Sequence, residues 1–200
     1  MNENKMNINW YPGHMAKTKK QIIEDLKLID IVIEILDARV PLASQNPDIE
    51  EIIKDKKKII LLNKADLADN NITKSWIDFY KNKGIKAIAV ESNTSKGIKD
   101  VIEAIKLEYV NIKEKYMQKG RIGKSTFINS IAKKNTAKVG NKPGVTKQKQ
   151  WIKVTNEIEL MDTPGMLWPK LENKDFAMHL AFVGTIGDNA IDKEEIAYYL

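Results

Sequence analysis

Cysteine is absent from the chain. That excludes disulfides and thiolate metal sites, and makes a reducing cytoplasm the expected location. Long apolar runs are missing too. No stretch approaches the roughly 20 apolar residues of a membrane-spanning helix, so no membrane partner is expected. The opening residues, Met1 to Met15, lack the apolar segment of a secretory signal. Arginine is scarce: Arg39 and Arg121 are the two present, and the net charge of +6 rests almost wholly on lysine. No internal repeat or low-complexity linker interrupts the chain.

What remains suits one α/β domain and the beginning of another. The length is 200 residues and 42% are hydrophobic, enough for a core of ordinary size. The basic balance, with a pI near 9.2, is compatible with a polyanionic partner and equally with a solvated lysine surface.

Apolar periodicity predicts an amphipathic helix over Met15 to Leu28, then a strand at Ile31 to Leu36 that runs into a loop at Asp37-Ala-Arg-Val-Pro41. A short helix over Asp48 to Lys54 precedes a second strand, Lys58 to Leu62. A helix through Ser75 to Lys81 leads to a third strand, Lys86 to Val90, and a further helix runs from Ile98 to about Leu107. Two strands, Trp151 to Val154 and Ile158 to Met161, are joined by a turn at Thr155-Asn156. Helical patterns recur at Phe176 to Phe182 and from Glu194 onward. Trp151 and Trp168 read as packing residues, with an RNA-facing edge as the alternative for Trp168 beside Pro169. Alternating strands and helices predict a doubly wound, mostly parallel sheet, with polar clusters at the carboxyl ends of the strands, where such sheets bind ligands.

The first of these clusters is Asn63-Lys-Ala-Asp66. Guanine presents N1–H and an exocyclic amine on one edge, and the Asp66 carboxylate can accept from both. Asn63 can tie the loop to a phosphate loop and reach the base, and the stem of Lys64 can cover the ring. Taken alone, the pattern also fits a solvated strand-to-helix turn with Asp66 near a helix start. Ser92 and Asn93 lie in a second loop expected to contact the base. In Gly123-Lys-Ser-Thr126, backbone N–H groups of Ile122, Gly123 and Thr126 would cradle phosphate oxygens. Lys124 would reach the β- and γ-phosphates, and the Ser125 hydroxyl would ligate Mg2+. The full GxxxxGK[ST] pattern is not met, because position 118 is Gln118, the nearest upstream glycine is Gly120, and no apolar strand precedes it. About a dozen residues, a strand and the front of the loop, are wanting between Gly120 and Ile122. Thr146, in Lys142-Pro-Gly-Val-Thr146, is a candidate second Mg2+ ligand. In Asp162-Thr-Pro-Gly165, Asp162 would hold Mg2+ through water and the Gly165 N–H would meet the γ-phosphate. Taken alone, that motif also fits a proline–glycine turn.

The order of the motifs is informative. Ordinary GTP-hydrolysing proteins run phosphate loop, switch threonine, DxxG, NKxD and a base loop. Here NKAD and Ser92-Asn-Thr come first, followed by GKST, PGVT and DTPG, which is the order expected of a circular permutation.

Together Trp10-Tyr-Pro-Gly-His-Met-Ala-Lys17, Asp37-Ala-Arg-Val-Pro41, Asn63-Lys-Ala-Asp66, Gly123-Lys-Ser-Thr126, Pro143-Gly-Val-Thr146 and Asp162-Thr-Pro-Gly-Met-Leu-Trp-Pro169 resemble the RbgA/YlqF family of circularly permuted GTPases. The resemblance covers essentially the whole chain. It implies a P-loop GTPase domain over 1–170 and the start of a C-terminal helical, RNA-binding domain over 171–200. The implied activity is GTP hydrolysis that assists late assembly of the large ribosomal subunit. Implied partners are GTP, GDP and the pre-ribosomal large subunit with its rRNA, and the chain is expected to act as a monomer. Mg2+ is the implied cofactor, with K+ as a second cation through a phosphate-loop Asn of the family. Arg121 stands in that Asn's place here.

Met166, where many GTPases carry a water-orienting Gln, cannot polarise water. Slow intrinsic turnover, a group from the partner, and a residue elsewhere in the chain are the three explanations. His14 is the internal candidate, since an imidazole can orient or deprotonate water near neutral pH, and the family's corresponding histidine is implicated in hydrolysis. A helix cap or an RNA contact is the plainer role for His14. Arg39 could act in the manner of an arginine finger, but a structural salt bridge or a partner contact fits its position better. Lys17, Lys19, Lys20, Lys147 and Lys149 could meet phosphate backbone or simply face solvent. Two other functions stand beside the switch: a nucleotide-dependent RNA-binding module with incidental hydrolysis, and an ATP-using kinase, which NKAD opposes.

Overall fold

The structure, a computed structural model, describes residues 20–53, 56–118, 150–156, 158–162 and 173–186. Residues 20–25 are helical (α1) and tighten into a 3-10 turn at Leu26–Leu28. Strand β1, Ile31–Asp37, follows at once. The predicted loop after it contains a single helical turn, α2, Pro41–Ser44, with proline at its first position. There the ring pre-sets φ and no amide is wasted. Helix α3, Pro47–Ile53, leads to β2, Lys57–Asn63. Helix α4, Asn70–Asn82, leads to β3, Lys86–Ala89, and α5 spans Ile98–Gln118.

Strands β1, β2 and β3 form a parallel sheet in that order. The central strand, β2, is apolar on both sides because each side is covered. Ile60 and Leu62 join Leu36, Ala87 and Tyr80 beneath α4. Ile59 and Leu61 join Ile88, Val101 and Ala104 beneath α5. Helices therefore cover both faces of the sheet. Ile59, Ile60 and Leu62 have no exposed surface, and each contributes roughly 1.5–3 kcal/mol by leaving water.

Helix α4 starts five residues before the predicted Ser75. Its N-cap, Asp69, accepts from the amides of Asn71 and Ile72, so a polar first turn conceals the start from apolar periodicity. Helix α5 outruns the predicted end near Leu107 by eleven residues. Beyond that point Leu107 and Val110 are exposed, and the helix continues on Lys-, Glu- and Gln-rich sequence without a glycine or proline to stop it.

Strands β4, Gln150–Lys153, and β5, Glu159–Asp162, form an antiparallel hairpin with Trp151 opposite Met161. Trp151 is 42% exposed, so it packs with only part of its ring surface covered; Trp168 lies outside the described residues. Helix α6, Lys174–Phe182, is capped by Asn173, whose side chain accepts from the Phe176 amide. Ala177 and Leu180 of α6 pack with Ala43 of α2, Ile186 and Val40. The predicted helix from Glu194 onward lies outside the described residues. No helix among the described residues is long and apolar enough to cross a membrane.

Candidate functional site

Parallel pairing places Asp37 opposite Asn63, and Leu62 opposite Ala89. The loops after β1, β2 and β3 therefore emerge together at the carboxyl edge of the sheet, where open α/β sheets bind ligands.

Asn63 joins two of these loops. Its Oδ1 accepts from the Ser92 amide at 3.2 Å and from the Ser92 hydroxyl at 2.7 Å. Among the described residues, nothing accepts from its Nδ2. Backbone bonds hold the same junction: Val90 N–H donates to Leu62 O at 2.9 Å and Ala65 N–H to Val90 O at 3.2 Å. The loop 91–97 is closed by a bridge between Glu91 and Lys96, whose side chains pair at 2.5 Å. Ser92 and Asn93 lie exposed at its tip. Gly97 ends the loop at φ +83°, and a Cβ there would fall 2.5 Å from Ala89 O. Only glycine fits that turn and that close backbone approach.

Lys64 adopts a left-handed conformation, φ 59° and ψ 36°, uncommon for a residue with a side chain and characteristic of functional turns. Its ammonium donates to Asp37 Oδ2 at 3.0 Å. Asp37 also accepts from Arg39 Nε at 2.9 Å, Arg39 Nη2 at 2.7 Å and the Arg39 amide at 3.1 Å. Burial pushes the Asp37 carboxyl upward, but the hydrogen bonds from Arg39 and Lys64 outweigh it and hold the group below its ordinary value. Arg39 is therefore held in a structural ion pair, the alternative favoured by its place in the sequence over a finger-like role. Asp66 sits in a 3-10 turn, Ala65–Leu67, exposed and without a hydrogen bond or ion pair among the described residues. Its charge is felt by Arg39 and Lys96. An unengaged carboxylate facing solvent can accept two parallel N–H bonds from a planar ligand.

Of the sequence-predicted site residues, the structure brings together Asn63, Lys64, Asp66, Ser92 and Asn93. Asp162 ends β5 opposite Gln150. His14, Ile122, Gly123, Lys124, Ser125, Thr126, Thr146 and Gly165 lie outside the described residues. Sequence reasoning missed the clamp of Asp37 on Lys64. The signal available for it was the scarcity of arginine, which marks Arg39 as a residue worth a partner.

A family model described as "50S ribosome-binding GTPase" matches residues 120–193. The Bacillus cereus protein "Ribosome biogenesis GTPase A" is 46% identical over 208 residues, covering 97% of this chain and 70% of that protein. This chain belongs to the ribosome biogenesis GTPase A family. The crystal structure of GNP-bound YlqF from T. maritima superposes with a TM-score of 0.61 at 28% identity, covering 91% of this chain and 72% of that one. The GDP-bound structure of the same protein superposes at 0.57 and 25%, over 88% and 70%. As a ribosome biogenesis GTPase A family member the chain has the P-loop GTPase fold, a mostly parallel sheet with helices.

Proposed function

We propose that the chain is a GTP-hydrolysing switch of ribosome assembly whose guanine site is the carboxyl edge of the β1–β2–β3 sheet. GTP binding, GTP hydrolysis and a role in ribosome assembly come with membership of the family. The observation that carries the site is the junction itself: Asn63 Oδ1 holds the Ser92 loop at 2.7 Å, while Asp66 is left free to read the base. In this reading Asn63, Lys64, Asp66, Ser92 and Asn93 bind the base. Ile122, Gly123, Lys124, Ser125, Thr126 and Gly165 hold the phosphates. The motif order is a circular permutation, with a GTPase domain over 1–170 and a helical, RNA-binding segment beginning at 171.

Ser125 and Thr146 would ligate Mg2+ directly, and Asp162 would hold it through water. They are two hydroxyls and a carboxylate, the oxygen donors that this hard cation prefers. Among the described residues no cluster of three acidic or imidazole groups could hold a metal. Bound there, Mg2+ would neutralise charge on the β- and γ-phosphates. K+ is a further cofactor of this reading, with Arg121 in place of the family's Asn as the departure to be tested.

His14 supplies the group that orients water, and Lys124 stabilises the transferring phosphoryl group. The partner is the pre-ribosomal large subunit, met through rRNA in the cytoplasm by a monomer that binds GTP and hydrolyses it to GDP and phosphate. Contact with the particle stimulates hydrolysis.

The alignment with the Bacillus cereus protein spans 208 positions yet takes in 97% of this 200-residue chain. That relative therefore carries residues without a counterpart here, and the segment wanting between Gly120 and Ile122 is where a complete phosphate loop needs them. The deciding measurement is binding of a fluorescent GDP analogue in Mg2+ buffer, with GTP and ATP as competitors, against Asp66→Asn. Competition by GTP alone, lost in the variant, supports the site. No binding at all makes the chain a non-catalytic relative. Particle-stimulated, single-turnover hydrolysis unchanged by His14→Ala removes His14 from the mechanism.

A further inference from the structure

The β1–α2 loop carries more structure than the base site requires. The Asp37 side chain is 8% exposed, and both its oxygens are taken by chain cations: Oδ1 accepts from Arg39 Nε, and Oδ2 accepts from Arg39 Nη2 and Lys64 together. Arg39 Nη2 has a second acceptor, the main-chain carbonyl of Val183 at 3.1 Å. Val183 is the C-cap of α6, and a guanidinium at that end of a helix satisfies a carbonyl the helix leaves unpaired and complements its dipole. Immediately after Arg39, Val40 and Ala43 form the seat on which Ala177 and Leu180 of α6 rest. Ser44 ties the seat back to the strand, because its hydroxyl accepts from the Asp37 amide at 3.0 Å. One short segment, residues 37–44, therefore clamps the NKAD lysine and holds α6.

We infer that Asp37 and Arg39 are positioning residues that couple occupancy of the base site to the seating of α6. This rests on the reading that Lys64 lies against the guanine. A base on the Lys64 stem restricts the ammonium, which is 46% exposed when paired with Asp37. The restricted ammonium fixes the carboxylate, and the carboxylate, through a two-point bond, fixes the guanidinium at the end of α6. Arginine is needed because one planar fork meets Asp37 and the Val183 carbonyl together, which an ammonium on a flexible stem cannot do in the same geometry. Coupling of this kind is reciprocal: whatever unseats α6 loosens the nucleotide. The path enters by the base rather than by the phosphates.

The test follows hydrogen exchange of the Val183, Gly184 and Thr185 amides, bonded to His179 O, Ala181 O and Leu180 O, in the full chain with and without GDP. In the unaltered protein GDP slows their exchange about fivefold or more, the low end of usual coupling. Arg39→Gln and Arg39→Lys abolish that GDP dependence, and Asp37→Asn weakens GDP binding about fivefold or more. A purely structural role would speed exchange in the variants yet leave the response to GDP intact. The inference alone is overturned if GDP binds with an Asp66-dependent preference over ATP while the α6 amides ignore it, or if Arg39→Lys keeps the response. Loss of the Asp66-dependent preference removes the base-site reading, and the coupling falls with it.

Discussion

Gly97 offers the sharpest test of how the base loop is built, with Gly84 as its control. Both have positive φ, +83° and +71°. An alanine pays about 1–2 kcal/mol for that conformation, offset by about 0.5 kcal/mol from a stiffer unfolded chain. Gly84→Ala meets nothing within 4 Å, so its net cost is about 1 kcal/mol. At Gly97 the new Cβ would lie 2.5 Å from Ala89 O, 3.1 Å from Val90 Cγ1 and 3.3 Å from Val90 Cα. Two of these atoms are backbone at the end of β3 and cannot swing aside. Overpacking adds about 1–3 kcal/mol, bringing Gly97→Ala to about 2–4 kcal/mol. Urea unfolding of both variants, with equal m-values, measures the difference. The distortion also moves Ser92 off Asn63, so GDP affinity should fall about tenfold, near 1.4 kcal/mol, in Gly97→Ala. Gly84, at the opposite end of the sheet, should leave affinity unchanged. Equal stability losses in the two variants would refute the close-approach argument. A full loss of stability at Gly97 with undiminished GDP binding would sever the loop from the base.

Asn63→Ala removes the acceptor for the Ser92 amide and hydroxyl. It should cost about 1–2 kcal/mol in urea unfolding and speed release of a fluorescent GDP analogue. Asp69→Ala removes the cap of α4 and should cost about 1 kcal/mol, leaving the preference for GTP over ATP intact in competition binding. Asp37 is held below its ordinary value, so its contribution to stability is present above an unfolded value near 3.9 and is lost as pH falls through the lower folded value. The stability gap between the unaltered protein and Asp37→Asn should therefore be constant near neutrality and shrink in urea titrations below about pH 4.

Local pattern alone determined a good deal of this protein. Apolar runs such as Lys58 to Leu62 announce buried parallel strands, because a strand covered on both faces has no polar side to alternate with. Strand-end polar clusters announce the site, because carboxyl-edge loops are where such sheets meet ligands. Asn63, Asp66 and Ser92 were legible on those grounds as residues of loops at one edge of the sheet. Two helix boundaries were not legible. The start of α4 lies in polar residues capped by Asp69, and past Leu107 the exposed Leu107 and Val110 give α5 no clear apolar stripe by which to mark its end.

Tertiary structure decided the rest. That Asn63 Oδ1 would hold Ser92, 29 residues later, depends on the register of β2 beside β3. That Arg39 would reach from Asp37 to the end of α6, 144 residues away, depends on α6 packing over α2. Spacing along a chain carries no record of such partners. Hydrogen bonds of this range form only once the sheet and its covering helices have set the distance between their ends, so residue types were readable from the sequence and their pairing was not.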